Sequence, residues 1–178
     1  MHEQIQTLID DHGRIRRLLN AFEDQLVQFA EAGQPDYDML EFGVDACAEY
    51  LDALHHRKEE LLLVRLYERM PESAEQMDGL TRQHRGLEKA AHDVAAAFSA
   101  VRDGTMQARA PLVAAGRLFL HGYRHHLKWE EARFFPTALE ALSESDWRDL
   151  AAEWAREADC TEQVRHSIAI FDVIAETE

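Results

Sequence analysis

Apolar residues recur at helical spacing along almost the whole chain. Between Glu3 and Ala32 the heptad series Ile5, Leu8, His12, Ile15, Leu19, Phe22, Leu26 and Phe29 predicts one amphipathic helix with His12 in its apolar seam. A second helix is expected from Asp36 to Arg69. On a wheel of about 100° per residue, Phe42, Ala53, Glu60, Leu63 and Tyr67 share the face of His56. A third, from Ser73 to Arg102, carries Met77, Leu80, His84, Leu87, Ala91, Ala95 and Phe98 on one stripe. A fourth, from Gln107 to Phe134, turns Leu112, Ala115, Phe119, Tyr123, His126 and Glu130 inward and ends at Phe135-Pro136. No alternating β-branched run interrupts this pattern, so the expected class is all-α.

Each of these helices has a histidine on its apolar stripe. The midpoints between successive members of the set His12, His56, His84 and His126 fall at residues 34, 70 and 105, within Gly33-Gln34-Pro35, Met70-Pro71 and Gly104-Thr105. All three are helix breakers. In an up-down-up-down antiparallel four-helix bundle, residues equidistant from a hairpin lie at one height, so the four imidazoles are expected in a single layer.

Beyond Pro136 the pattern predicts additional C-terminal helices. After a short helical stretch, Ser143 and Asp146 have the spacing of a capping box, with Asp in place of the usual Glu or Gln, ahead of a fifth helix to Ala158. Thr161 is placed to cap a sixth, whose stripe is Val164, Ile168, Phe171 and Ile174 or Ala175. Its expected dock is the second apolar face of helix two, made by Val44, Cys47, Leu51, Leu54, Leu61 and Leu62, with a dimer interface as the alternative use of that face. The chain thus divides into a bundle over residues 1–140 and a helical extension over 141–178 packed on it as one domain. At 178 residues it needs no second core.

The charge narrows the range of partners. With 34 acidic residues against 19 lysines and arginines the net charge is −15, which argues against nucleic acid, since phosphate wants the opposite sign. The N-terminus lacks a basic segment followed by an apolar one, and no apolar stretch approaches the roughly 20 residues that span a bilayer. A cytoplasmic protein, monomer or homodimer, is expected. Cys47 and Cys160 stand in unrelated contexts with no CxxC, which suits free thiols in a reducing compartment.

The candidate chemistry lies in the histidine layer. His56 with Glu60, and His126 with Glu130, form two HxxxE pairs; on a helix the two side chains lie one turn and about 40° apart, so both reach one centre. Reflection through the midpoints places Glu60 and Glu130 at the height of Leu8 and Leu80, on one side of the imidazoles. The expected metal ligands are therefore His12, His56, Glu60, His84, His126 and Glu130. Six such groups left unpaired in a core at about 1–3 kcal/mol each would cost on the order of 10 kcal/mol, a whole domain's stability, and a bound cation removes that cost. Nitrogen and oxygen donors in this number suit iron or manganese; structural zinc favours four ligands with thiolate.

The order H, HxxxE, H, HxxxE resembles the hemerythrin-like, or HHE cation-binding, domains. The resemblance rests on Asp11-His12, His55-His56-Arg57-Lys58-Glu59-Glu60, the single seam histidine His84, and His126 with Glu130-Glu131 before Phe134-Phe135-Pro136. It covers most of residues 1–150. It implies a four-helix bundle holding two iron ions in a non-haem di-iron centre bridged by two carboxylates, which would be Glu60 and Glu130, with manganese or zinc as substitutes. The oxygen-carrying members use HxxxH on the third helix, where this chain has Leu80 before His84 and Glu88 after it. Glu88 either replaces the missing histidine or stays in a surface salt bridge. Those carriers also place an acid five residues after the last histidine, as Glu131 is; a regular helix points it about 140° away, so Glu130 is preferred unless a π-bulge intervenes.

His55 and His125 lie about 100° off the ligand direction and are expected to partner Glu59 or solvent, or to support the ligands from behind. His121, His92, His2 and His166 lack a carboxylate at comparable depth, and Tyr123 reads as core. Three functions stay open. The leading one is a di-iron protein that binds dioxygen or nitric oxide for sensing, storage or iron and oxygen handling. The others are a di-iron oxidase or peroxidase, and an all-α interaction module with a structural metal.

Overall fold

The structure is a computed structural model and describes residues 2–45, 54–72, 77, 79–105 and 108–157. Among these the regular elements are helical: α1 (Glu3–Ala30), a π-helical turn at Met39–Gly43, α2 (His56–Arg69), α3 (Leu80–Arg102), α4 (Arg109–Trp129), a second π-helical turn at Glu130–Phe134, α5 (Phe135–Ala141) and α6 (Glu144–Glu157). The expected start of helix three at Ser73, the sixth helix after Thr161, Leu51 of its dock, both cysteines and His166 lie outside the described residues. No described helix is long and apolar enough to cross a membrane.

The heptad of α1 is buried along its whole length, from Ile5 to Phe29. The helix ends in a Schellman motif: Gly33 N–H donates to the Gln28 carbonyl at 2.9 Å and Ala32 N–H to that of Phe29 at 3.3 Å. Ala32 takes the left-handed position, with φ 59°. The same motif ends α3, where Thr105 N–H reaches the Ala100 carbonyl at 2.9 Å and Gly104, at φ 85°, supplies the conformation without a Cβ penalty. Two of the three expected breakers, at Gly33 and at Gly104, therefore end a helix in this way.

α1 packs on α4, and α4 on α3. One inward position of α4 differs from expectation. Ala115 is exposed and Gly116 is buried. A Cβ on Gly116 would stand 2.8 Å from Leu26 Cδ2, so the missing side chain lets α1 and α4 close together. A pattern of apolar side chains cannot register a residue that packs by having none.

The fourth helix does not stop at Phe135-Pro136. It widens into the π turn at Glu130–Phe134 and runs on as α5, with Pro136 in that segment's first turn. Proline has no N–H to give to a regular helical ladder, and an irregular turn beside it is a common accommodation. α5 and α6 then pack against α2. The expected capping box starts α6: Ser143 N–H donates to Asp146 Oδ2 at 2.9 Å and Asp146 N–H to Ser143 Oγ at 3.4 Å.

The apolar interior is in two parts. One, built on Ile15, Phe22, Phe98, Phe119 and Tyr123, fills the hairpin end between α1, α3 and α4. The other, built on Ile5, Leu8, Leu62, Leu66, Leu80, Phe134 and Trp147, fills the opposite end under α5 and α6. Between them lies a polar layer.

Candidate metal centre

That layer holds the only buried charged or imidazole side chains of the four main helices apart from Asp11, among the described residues: His12, His55, His56, Glu59, His84, His126 and Glu130. None is more than 4 % exposed. His56 and His84 stack at 3.9 Å between ring centroids, His84 meets His126 at 5.0 Å, and His12 meets His55 at 5.0 Å. The four seam histidines all enter this one buried cluster.

The carboxylates depart from expectation on helix two. Glu60 is only half-buried and stands outside the cluster, whereas Glu59 is fully buried within it. Phase explains the shift. The buried residues of this stretch, His55, His56, Glu59, Leu62, Leu63 and Leu66, spread about 60° to either side of Glu59, so Glu59 marks the centre of the inward face and Glu60 lies about 100° from it. Taking His56 as the centre moved the reading one residue too far. His55 enters by the same geometry, about 40° from that centre. It brings a fifth imidazole into the cluster. Glu88 does not join it; it sits near the surface with His92 Nε2 at 4.0 Å.

Glu59 and Glu130 connect two sets of imidazoles. Glu59 Oε1 lies 3.3 Å from His55 Nε2 and 3.8 Å from His12 Nε2, while its Oε2 lies 3.4 Å from His84 Nε2. Glu130 Oε2 lies 3.4 Å from His12 Nε2, and its Oε1 lies 3.0 Å from His126 Nε2 and 3.5 Å from His84 Nε2. Two groups of donors capable of holding a cation result: His56, Glu59, His84 and His126, and His12, His55, Glu59 and Glu130. Within each, one donor atom per residue lies within 4.8 Å of every other. Donors about 2.1 Å from a common ion stand roughly 3–4.2 Å apart, somewhat closer than the outer limit of these groups, so a small inward movement would bring each group onto a cation.

The donors fit a metal in their bonding as well. His12, His55, His84 and His126 Nε2, His56 Nδ1, and both oxygens of Glu59 and of Glu130 are buried without a hydrogen bond of acceptable geometry. Each such group costs about 1–3 kcal/mol in a core. Cations accepted by these lone pairs would remove that cost.

The opposite edges of three imidazoles are anchored. His12 Nδ1–H donates to Glu131 Oε1 at 2.9 Å, and Arg16 holds the same oxygen at 2.7 Å. His55 Nδ1–H faces Asp11 Oδ2 at 3.5 Å, which also accepts from Lys58 Nζ at 3.2 Å. His126 Nδ1 stands 3.2 Å from Gln83 Oε1. A carboxylate behind an imidazole sets the tautomer that leaves Nε2 free to coordinate. The π turn begins at Glu130; that carboxylate points inward, and its neighbour Glu131 meets the Nδ1 edge of His12.

Electrostatics follow the same division. Burial works against a charged His12, but the carboxylates of Glu130 and Glu59 outweigh it and raise its pKa to about 9. At His55 burial is likewise outweighed, by Glu59 and Asp11, and the pKa rises to about 10. His56 moves well below its ordinary value through burial and the adjoining His84. Burial and Glu130 push the Glu59 carboxyl up, yet His55 and His12 bring it down to about 2. Burial also opposes ionisation of Glu130, and His126, His12 and His84 hold it well below the carboxylate range.

The remaining candidates are peripheral. His121 and His125 are exposed on α4, His92 pairs with Asp45 at 2.8 Å, and His2 stacks on Trp147 with ring centroids 4.6 Å apart. Tyr123 packs on Phe119 in the hairpin-end core.

Neither the curated proteins nor the solved structures contain a match to the chain. The hemerythrin HHE cation binding domain matches residues 2–138, which span α1 through most of α5 and include every residue of the buried cluster. On that match, and on the bundle and polar layer it encloses, the chain belongs to the hemerythrin HHE cation-binding family.

Proposed function

We propose that the chain is a non-haem di-iron protein that binds a small ligand such as dioxygen or nitric oxide, in sensing, storage or the handling of iron and oxygen. The observation that carries this reading is the position of Glu59 and Glu130. Each presents its two oxygens to different imidazoles, so each is placed to serve two cations at once. His56, His84 and His126 would hold one ion, and His12 and His55 the other. The donor set is imidazole and carboxylate without thiolate, which suits iron or manganese. When bound, an iron pair supplies electrons and open coordination positions to a small molecule.

The protein's own residues supply the surroundings. Leu8, Leu62, Leu80 and Phe134 close the layer at one end, and Ile15, Phe119 and Tyr123 at the other, so water is excluded. Glu131, Asp11 and Gln83 orient three of the imidazoles from behind. Anaerobic loading with ferrous iron followed by dialysis and metal analysis should return two ions per chain. Admission of air should then give a reversible optical change. Rapid oxidation with consumption of added peroxide would instead make the protein an oxidase, and no retained metal would end the proposal.

A further inference from the structure

The centre is closed to solvent, so a small ligand needs a way in. Resting on the metal reading above, we propose that the groove between α3 and α4 is the entrance for small neutral molecules, with Leu87 and Gln83 as its movable parts. The groove has a volume of about 310 Å³ and is lined by Gln83, Gly86, Leu87, Gly122, His125 and His126. It reaches a residue of the buried cluster, His126.

Its walls are thin because two glycines form them. Gly122 has Leu87 Cδ2 lying 3.2 Å from where its Cβ would be, so the leucine lies across the bare backbone of α4. Gly86 is exposed, and an added Cβ there would meet nothing within 4 Å. The antiparallel register of the α3–α4 hairpin places Leu87 opposite Gly122 and Gln83 opposite His126, so the leucine and the glutamine lie about one turn apart along the groove. Gln83 is exposed and stands 3.2 Å from His126 Nδ1. Rotation of that one side chain opens the groove to the Nδ1 edge of His126, whose Nε2 faces Glu130 at 3.0 Å on the far side of the ring, so a molecule would enter the layer past that ring. Gating by a few side chains is a common way to reach a sealed site.

The lining selects the kind of molecule. It carries no carboxylate, guanidinium or ammonium group. The neighbouring groove between α1 and α4, about 480 Å³, is lined by Glu23, Arg117, Arg124 and Lys128 and includes none of the buried cluster residues. A neutral diatomic suits the first groove and gains nothing from the second.

The test uses nitric oxide as probe on the full chain loaded with ferrous iron, by stopped-flow absorbance. Gly86→Phe fills the groove at an exposed helical position where phenylalanine is the better helix former, so iron content should match the parent. Association and dissociation rates should both fall about tenfold with the dissociation constant unchanged, the signature of a narrowed passage. Leu87→Ala should raise both rates, and His121→Trp, which fills the α1–α4 groove, should leave them alone. Rates in Gly86→Phe equal to the parent at equal iron content, or slowed equally by His121→Trp, overturn the entrance and leave the metal centre standing. A parent chain that takes up no iron overturns both.

Discussion

Replacing Glu59 by glutamine tests the centre at the residue shared by both donor groups. The side chain keeps its size, but one anionic oxygen becomes an NH2 that cannot coordinate, and the negative charge between the two imidazole sets is lost. Glu59 Oε1 faces His55 at 3.3 Å and Oε2 faces His84 at 3.4 Å, so the change removes the donor from one cation position and leaves the other a neutral amide oxygen in place of an anionic one. A four-ligand structural site binds its metal with about 10–16 kcal/mol, or roughly 3–4 kcal/mol per ligand. At about 1.4 kcal/mol per decade, the position that loses its donor in Glu59→Gln should bind on the order of 100- to 1000-fold more weakly, and the other position less so. Competition with a coloured chelator, with metal content read after gel filtration, measures this. Glu60→Gln is the control: half-buried and outside both groups, it should bind within about threefold of the parent. Equal losses in the two variants, or an unchanged Glu59→Gln, would refute the assignment of the bridging carboxylate.

Other expectations follow from the shell and the fold. Glu131→Gln leaves His12 a neutral acceptor in place of a charged one, and metal affinity in the same competition assay should fall about 10- to 100-fold; no change would show that the 2.9 Å contact orients nothing. Ala32→Gly should stabilise the chain, because the left-handed conformation costs alanine about 1–2 kcal/mol and the added freedom of glycine when unfolded costs about 0.4–1. The net gain of about 0.5–1 kcal/mol is readable by denaturant titration, and a loss would contradict the Schellman geometry. Asp146 is held well below its ordinary carboxyl range by hydrogen bonds from Arg69 and, more weakly, from Ser143. A depressed folded pKa means that its contribution is present above about pH 4 and lost as pH falls through the folded value. Asp146→Asn should therefore lower the melting temperature by a few degrees at neutral pH, and the gap to the parent should close as the solution is acidified. A gap that widened on acidification would reverse the sign of the argument.

Much of the architecture was legible in the spacing of apolar residues, and particular positions show where that ends. The α1 heptad and the three breakers are long-range regularities, and averaging over many residues makes them robust to local error; they placed His12, His56, His84 and His126 in one layer. Glu59 needed something finer. A helix phase taken from one histidine carries an error of half a face, whereas Leu62, Leu63 and Leu66 taken together already centre the buried face on Glu59. The same correction would have brought in His55 without any appeal to helix three. Glu131 was not legible from its own helix: about 140° from His126 on a regular wheel, it meets the Nδ1 edge of His12 on α1, a contact that depends on the packing of two helices. Gly116 was invisible to a pattern of side chains because its contribution is the absence of one.

The most direct test of the central claim is anomalous X-ray diffraction at the iron edge from crystals of the iron-loaded chain. Two peaks within the polar layer are expected, one against His56, His84 and His126 and the other against His12 and His55, with Glu59 and Glu130 between them. A layer with no anomalous peak, or a single peak that leaves one set of imidazoles unbound, would contradict it.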